Sequence, residues 1–206
     1  MIRGILSVSL LPVVLVLTAC RSAPQQHYYV IAQSEVPSNV KSTAEDGCRL
    51  AIAPFRVDAP YDEDQLIYRI GRDSPEIVFY AHHRWAASLS EQLQLAASTA
   101  FRDLPGISSI GPLEVDRSYN AVLLGRLLYL EELDLPEEQV ARVGIELTLL
   151  NRAGQQIWSQ TVSARVGGLA ADVPAIVRHM RRALQQAFSE ARPGLSAAVA
   201  QCDRGP

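Results

Sequence analysis

Val140-Ala141-Arg142-Val143-Gly144-Ile145-Glu146-Leu147-Thr148-Leu149-Leu150 places Val143, Ile145, Leu147 and Leu149 at every second position, with Glu146 and Thr148 between them. Successive side chains of an extended chain point to opposite sides, so this spacing puts the apolar set on one face of a strand. Asn151-Arg152-Ala153-Gly154 supplies a hairpin turn. Beyond it, Gln156 to Val166 carries Trp158, Val162, Ala164 and Val166 on one face and Ser159, Thr161 and Ser163 on the other. Before it, Pro136-Glu137-Glu138 turns back to the long run Ala121 to Leu133, with Leu123, Leu127, Tyr129 and Leu133 assigned to one face. Three such runs joined by short turns predict an antiparallel meander with one face wetter than the other.

The flanking sequence adds two helices. From about Ala86 to Leu104, the residues Leu89, Leu93, Ala97, Ala100, Phe101 and Leu104 keep helical spacing on one stripe. Ser88 and Glu91 have the spacing of a capping box, and Pro105-Gly106 is a stop signal. A second helix is capped by Asp172, has Pro174 in its first turn, and buries Ile176, Val177, Met180, Leu184, Ala187, Phe188 and Ala191; Pro193-Gly194 is expected to end it. Leu66 to Ile70 and Ile77 to Ala81, joined by Gly71-Arg72-Asp73-Ser74-Pro75, read as a hairpin with two largely apolar faces. Arg49 to Val57 reads as a buried strand with Pro54 marking an edge or bulge, and Ile107 to Val115 as a short strand containing Pro112. The expected architecture is α+β: a mixed, mainly antiparallel sheet of about six strands, with two amphipathic helices packed on one face.

The N-terminus sets the compartment. Arg3 precedes a short apolar run, Ile5 to Val16, too short to span a bilayer, and the run closes on Leu17-Thr18-Ala19-Cys20. That ending resembles a bacterial lipobox, which implies cleavage before Cys20 and lipid on its sulfur and new amine. The plainer alternative is an ordinary signal peptide with a cysteine nearby. Several acyl chains anchor a protein stably where one binds only marginally. The chain then divides into a signal peptide at 1–19, a Ser/Pro/Gln-rich tether at 20–47 with one short strand near His27-Tyr28-Tyr29-Val30-Ile31-Ala32, and one α+β domain at 48–203. Arg21 is not the aspartate that retains many enterobacterial lipoproteins in the inner membrane, so the outer membrane is the expected destination. Cys48 and Cys202 remain as an even pair in an oxidising compartment and are expected to bridge the two ends of the domain. The formal net charge of −3 lacks the clustered basic footprint of a nucleic-acid binder.

Little in the chain suggests catalysis. His82 and His83 are adjacent, and neighbours in a strand point apart, so a single metal ion rarely takes both. Asp62-Glu63-Asp64 lacks the alternating ligands and glycine of a calcium loop and reads as a solvated turn. There is no G-x-S-x-G, no phosphate-cradling glycine loop and no convincing serine–histidine–carboxylate set. The expectation is a protein that is not an enzyme, with no metal and no cofactor other than the covalent lipid on Cys20.

One block carries more specific information. Ala53-Pro54-Phe55-Arg56-Val57, then Tyr61 with Gln65-Leu66-Ile67-Tyr68-Arg69, then Tyr80 with His83-Arg84-Trp85-Ala86, resembles the ABC-type transport auxiliary lipoproteins, the PqiC-like partners of MCE lipid-transport systems. Tyr28-Tyr29-Val30 is similar to the mature N-terminus of that family. The resemblance implies a periplasmic lipoprotein on the outer membrane that docks to an MCE-domain protein, and through it to an ABC permease and ATPase, with lipid as cargo. Tyr61, Tyr68, Tyr80, Arg84 and Trp85 are the candidate contact residues, since Tyr, Trp and Arg are enriched at binding centres; core packing is the competing role for each. Association with further copies of the chain stays open. The rival readings are a structural lipoprotein of outer-membrane assembly or secretion, and a periplasmic carrier holding lipid in a cavity between sheet and helices.

Overall fold

The computed structural model describes residues 24–32, 47–113, 118–169 and 172–202. The signal run, Cys20 and Arg21 lie outside these residues. In chain order the elements are β1 (His27–Tyr29), β2 (Cys48–Ile52), β3 (Arg56–Val57), β4 (Gln65–Ile70), β5 (Val78–Trp85), α1 (Leu89–Phe101), β6 (Ile107–Pro112), β7 (Ala121–Asp134), β8 (Gln139–Asn151), β9 (Gln156–Gly168) and α2 (Val173–Val199). The fold is α+β, and the nine strands form one sheet.

The spine of that sheet is β7. Along one edge it pairs antiparallel with β8, from Ala121↔Asn151 to Asp134↔Gln139, and β8 pairs antiparallel with β9. These are the longest ladders, and they are the ones whose alternation is plain in the sequence. Along its other edge β7 takes three short parallel strands end to end: β2 at residues 121–123, β3 at 126–127 and β4 at 132–134. From there the sheet forks. β2 leads to β6 in parallel, while β4 leads to β5 antiparallel and β5 to β1 in parallel. The sheet has nine strands rather than the expected six or so: the short tether strand joins it as β1, and the run 49–57 splits, since Pro54 has no N–H to give a ladder, so β2 stops at Ile52 and β3 restarts at Arg56.

A register shift in β7 between Leu127 and Tyr129 changes which side chains face the helices. Leu127 lies beside Ile145 and Leu130 beside Val143, whereas Tyr129 lies beside Gly144. Leu123, Leu127 and Leu130 therefore share the helix-covered face, and Tyr129 and Leu133 fall on the other, contrary to strict alternation. Gly144 leaves room for this, since a Cβ there would sit 2.5 Å from the Tyr129 ring.

Both helices lie on one sheet face. The Ser88 hydroxyl accepts from the Glu91 N–H at 3.3 Å, so α1 starts three residues later than expected, and Trp85 belongs to the end of β5. The Asp172 carboxylate accepts from the Ala175 N–H at 2.8 Å and caps α2. Pro193 does not end α2, which continues to Val199 because Leu195, Ala198 and Val199 extend the buried stripe. Met180, Leu184, Ala187 and Phe188 of α2, which covers β8 and β9, and Leu93, Ala97 and Phe101 of α1, which lies against α2, β2, β3 and β6, join Ile145, Leu147 and Leu149 in one core. Phe188 meets Phe101 and Phe55 edge-on, with centroids 5.3 and 6.3 Å apart. A disulfide joins Cys48, at the start of β2, to Cys202 just past α2, with Cα atoms 6.1 Å apart.

Candidate functional site

The polar centre of the domain is at the far end of β7, where Glu131 and Glu132 are 0 % and 3 % exposed. Neighbours in a strand point to opposite faces, so each carboxylate has its own surroundings. On the face away from the helices, Tyr61 Oη donates to Glu131 Oε2 at 2.7 Å. Arg69 Nε donates to Oε1 and Oε2 at 2.9 and 3.0 Å, and Arg142 donates to Oε1 from Nε at 2.7 Å and also from Nη2. Arg69 Nη1 reaches the Ser74 carbonyl at 3.1 Å, and the Arg142 guanidinium lies over the Tyr129 ring, 4.9 Å from its centroid. The Glu131 carboxylate is thus saturated by charge-assisted donors. Burial, and then the hydrogen bond to Glu131, push the Tyr61 hydroxyl up to about 12.

On the helix-covered face the balance differs. Tyr80 Oη donates to Glu132 Oε2 at 2.5 Å, and no arginine joins them in the hydrogen bonds found there. The Tyr80 ring lies 4.8 Å from that of Tyr68 and meets His83 edge-on at 5.5 Å. Burial raises the Glu132 pKa against the opposing hydrogen bond from Tyr80, and burial also raises that of Tyr80. His83 stacks on His27 at 5.0 Å, and its Nδ1 lies 2.8 Å from Tyr29 Oη. Burial first, and then the neighbouring His27 and His82, hold the His83 pKa below its ordinary value.

These clusters consume their own chemistry. A cleft of about 200 Å³ lies between α1 and α2, lined by Ile31, Ala96, Ala100, Leu184 and Phe188 with Arg181 at its rim, and it does not open on either glutamate. Among the described residues no three His, Cys, Asp or Glu side chains form a metal set, and no helix is long and apolar enough to cross a membrane.

The five candidate contact residues do not make one exposed patch. Tyr61 and Trp85 are 8 % and 5 % exposed. Tyr61 serves Glu131 on one face, while Tyr80 serves Glu132 on the other with Tyr68 beside it. Arg84 is half-buried, bonded through Nη1 to Asp64 Oδ1 at 2.5 Å and through Nε to Gln26 Oε1 at 3.2 Å. Tyr61, Tyr80 and Trp85 are engaged in internal order, while Tyr68 and Arg84 keep part of their surface open. Asp62, Glu63 and Asp64 are exposed, as a solvated turn requires. Sequence reasoning passed over Glu131, Glu132, Arg69 and Arg142; the signal was two adjacent acids inside an otherwise apolar strand.

What remains open is backbone. Among the described residues β9 pairs with β8 alone, so one edge of a thirteen-residue strand is unpaired, with Thr161, Ser163 and Arg165 exposed along it.

Comparison with known proteins adds a family and a fold. A family model described as the ABC-type transport auxiliary lipoprotein component matches residues 29–191. The crystal structure of a protein from Xanthomonas campestris is similar with a TM-score of 0.66 at 17 % identity, covering 86 % of this chain and 99 % of its own. A second solved structure, of an uncharacterized protein, is similar with a TM-score of 0.60 at 12 % identity, covering 84 % and 99 %. At such identities the likeness is one of fold. A comparison with curated proteins gives no match.

Proposed function

The chain belongs to the family of ABC-type transport auxiliary lipoproteins, and on that premise we propose that it is the lipid-anchored, non-catalytic partner of an MCE lipid-transport system, held at the periplasmic face of the outer membrane. Acylated Cys20 is the anchor and Arg21 the sorting neighbour in this reading. The domain docks to an MCE-domain protein and, through it, works with an ABC permease and ATPase. The observation that carries the docking role is the pairing of a polar centre closed on itself with a long open edge at β9. Edge strands are usually blunted or covered, and one left open offers main-chain hydrogen bonds to an extended partner segment. Tyr68 and Arg84, both half-buried, remain contact candidates, while Tyr61, Tyr80 and Trp85 hold the surface in shape.

The carrier reading gains no support from the cleft between α1 and α2. Its volume of about 200 Å³ is below the roughly 300–1,000 Å³ of pockets that enclose a drug-sized ligand. Photo-crosslinking in cells tests the docking role, with the crosslinker placed at Thr161 on β9 or at Arg182 on the outer side of α2. Capture of an MCE-domain protein from Thr161 and not from Arg182, with the chain in the outer-membrane fraction, is expected. Absence of MCE protein from both, or recovery with the inner membrane, overturns the reading.

A further inference from the structure

Residues 24–32 lie as a strap on the domain and are fastened at two places. β1 pairs with the end of β5, His27↔His83, Tyr28↔Arg84 and Tyr29↔Trp85, and the Ala86 N–H donates to the Tyr29 carbonyl at 2.8 Å. Ile31 is 2 % exposed between the helices. Its N–H donates to Gln92 Oε1 of α1 at 2.6 Å, and Arg181 of α2 donates to the Ile31 and Val30 carbonyls at 3.3 and 3.0 Å. The first fastening carries the histidine cluster: His27 stacked on His83, Tyr29 Oη on His83 Nδ1, and Gln26 reaching His82 Nδ1 at 3.3 Å.

The fastening is local. A three-residue edge ladder, one buried aliphatic side chain and the hydrogen bonds with Ala86, Gln92 and Arg181 hold the strap, and a segment held by so few contacts opens at a lower free energy than the core ladders. We propose that this strap is a releasable latch that gives the domain a short and a long tether to its membrane anchor, with the His27–His83 stack as its pH-sensitive clasp. The two tether lengths rest on Cys20 bearing the lipid; the release itself does not. With the strap docked, seven Cα–Cα steps lead from Cys20 to His27, a reach of at most about 25 Å at ~3.3–3.6 Å per residue. With it released, the tether runs from Cys20 to Cys48, and the same arithmetic gives a limit of roughly 90–100 Å. A docking domain at the short length stays beside the leaflet, and at the long length it extends well into the space beyond.

The clasp follows from which groups surround it. From β1, His27 and Tyr29 face His83; from β5 come Tyr80 and His82, with Arg84 neutralised by Asp64. From α2, the Asp172 carboxylate acts on Tyr29. Tyr29 Oη can pair with His83 Nδ1 in either protonation state, so that bond does not set the preference; burial under the strap, and then the His27 ring stacked at 5.0 Å and the neighbouring His82, disfavour a charge on His83 in the docked state. The docked state therefore binds fewer protons at His83 than the released one. Docking is favoured above the ordinary histidine value of about 6.5 and weakens as pH falls below it.

Hydrogen exchange of the full-length acylated protein in phospholipid vesicles tests the latch at pH 7.5 and 5.5, after correction for intrinsic rates. Peptides covering 27–32 and Ala86 are expected to exchange several-fold faster at pH 5.5, with β7 and β8 unchanged, as for a local opening. His83→Phe keeps the ring stack without a titrating nitrogen and should abolish that pH response. Ile31→Ser should speed exchange of the strap at both pH values. Strap amides that exchange only together with β7 and β8, or a pH response that survives His83→Phe, overturn the latch. Failure of the anchor reading would show separately, as a chain carrying no fatty acid, and would remove the two tether lengths while leaving the release intact.

Discussion

Glu131 and Glu132 are consecutive in β7, and their buried carboxylates lie on opposite faces of one sheet, each held by a tyrosine hydroxyl, Tyr61 at 2.7 Å and Tyr80 at 2.5 Å. The resemblance between the two arrangements ends there. Glu131 is also bonded to Arg69 and Arg142, whereas among the described residues Glu132 is bonded by a tyrosine and no cation. A buried carboxylate is tolerated when paired and hydrogen-bonded, and is unfavourable when it is not. The same Glu-to-Gln change should therefore have opposite effects at adjacent positions.

Glu131→Gln removes the charge between two arginines and leaves both without a counter-ion. Breaking a wholly buried pair costs about 3–5 kcal/mol. Arg69 and Arg142 keep 16 % and 21 % of their side-chain surface, so water recovers part of that. The expected loss is about 2–3 kcal/mol, measured as a lower urea midpoint at pH 7. An unchanged midpoint would show that the arginines are satisfied by solvent.

Glu132→Gln should stabilise, and more so as pH rises. Burial raises the Glu132 pKa, with the Tyr80 hydrogen bond opposing. A carboxyl with a raised folded pKa contributes stability that is present below its unfolded value, about 4.3, and is lost as pH rises through the folded value. Glutamine does not titrate, and its carbonyl still accepts from Tyr80. The variant should match the parent near pH 4.5 and exceed it by a growing margin as pH rises to 8, read as a widening difference in urea midpoint. A pH-independent difference in urea midpoints would show that Glu132 does not carry this dependence.

The two glutamates also show what the sequence discloses and what it does not. Strands β7, β8 and β9 are legible because each carries a long alternation with a wet face, and the helices because Leu93, Phe101, Met180 and Phe188 keep helical spacing. β3 is only two residues and pairs on one side, too short for any period. The register shift after Leu127 inverts the faces of Tyr129 and Leu133, and nothing in local composition marks it. The candidate surface was read from residue type: Tyr61, Tyr80 and Trp85 have the chemistry of a contact site. Their partners, Glu131, Glu132 and Tyr29, are 70, 52 and 56 positions away in the chain. Whether an aromatic serves a surface or a buried acid depends on such long-range pairings.

Gly125 is required by Phe55. A Cβ at Gly125 would lie 2.3 Å from the Phe55 ring, which is itself 2 % exposed and packs edge-on against Phe188. Gly125→Ala should destabilise by about 3 kcal/mol, the upper range for overpacking a filled core. Phe55→Leu in the same chain should recover part of the loss, giving a double-mutant coupling of about 1 kcal/mol or more. Strict additivity in thermal unfolding would place the clash elsewhere.

The Cys48–Cys202 bridge closes a loop with a sequence separation of 154. In the chain-entropy account such a loop is worth up to about 5 kcal/mol, an upper figure because the unbridged denatured chain retains structure. The double variant Cys48→Ser/Cys202→Ser should unfold at a markedly lower denaturant midpoint, and its slope should rise, because the denatured chain without the bridge is less compact and exposes more surface. A midpoint equal to that of the oxidised parent would mean that the ends are held by β2 and α2 packing alone.

Pro193 poses the reverse question, a helix that continues through a residue suited to end it. Proline has no N–H for the carbonyl of Ser189, four residues earlier, and its ring crowds that carbonyl, an effect of about 3 kcal/mol in a helix interior. Three features beyond it keep α2 going. Leu195, Ala198 and Val199 are 0 %, 4 % and 1 % exposed, Gly194 allows Trp158 to approach closely, and Cys202 is tied to Cys48. Pro193 itself is exposed, so its ring contributes little to the core. Pro193→Ala should restore the missing backbone bond without opening a cavity and raise stability by about 1–3 kcal/mol, seen as a higher midpoint of thermal unfolding. A lower midpoint would mean that α2 is bent at Pro193 in a way its packing on β8 and β9 depends on.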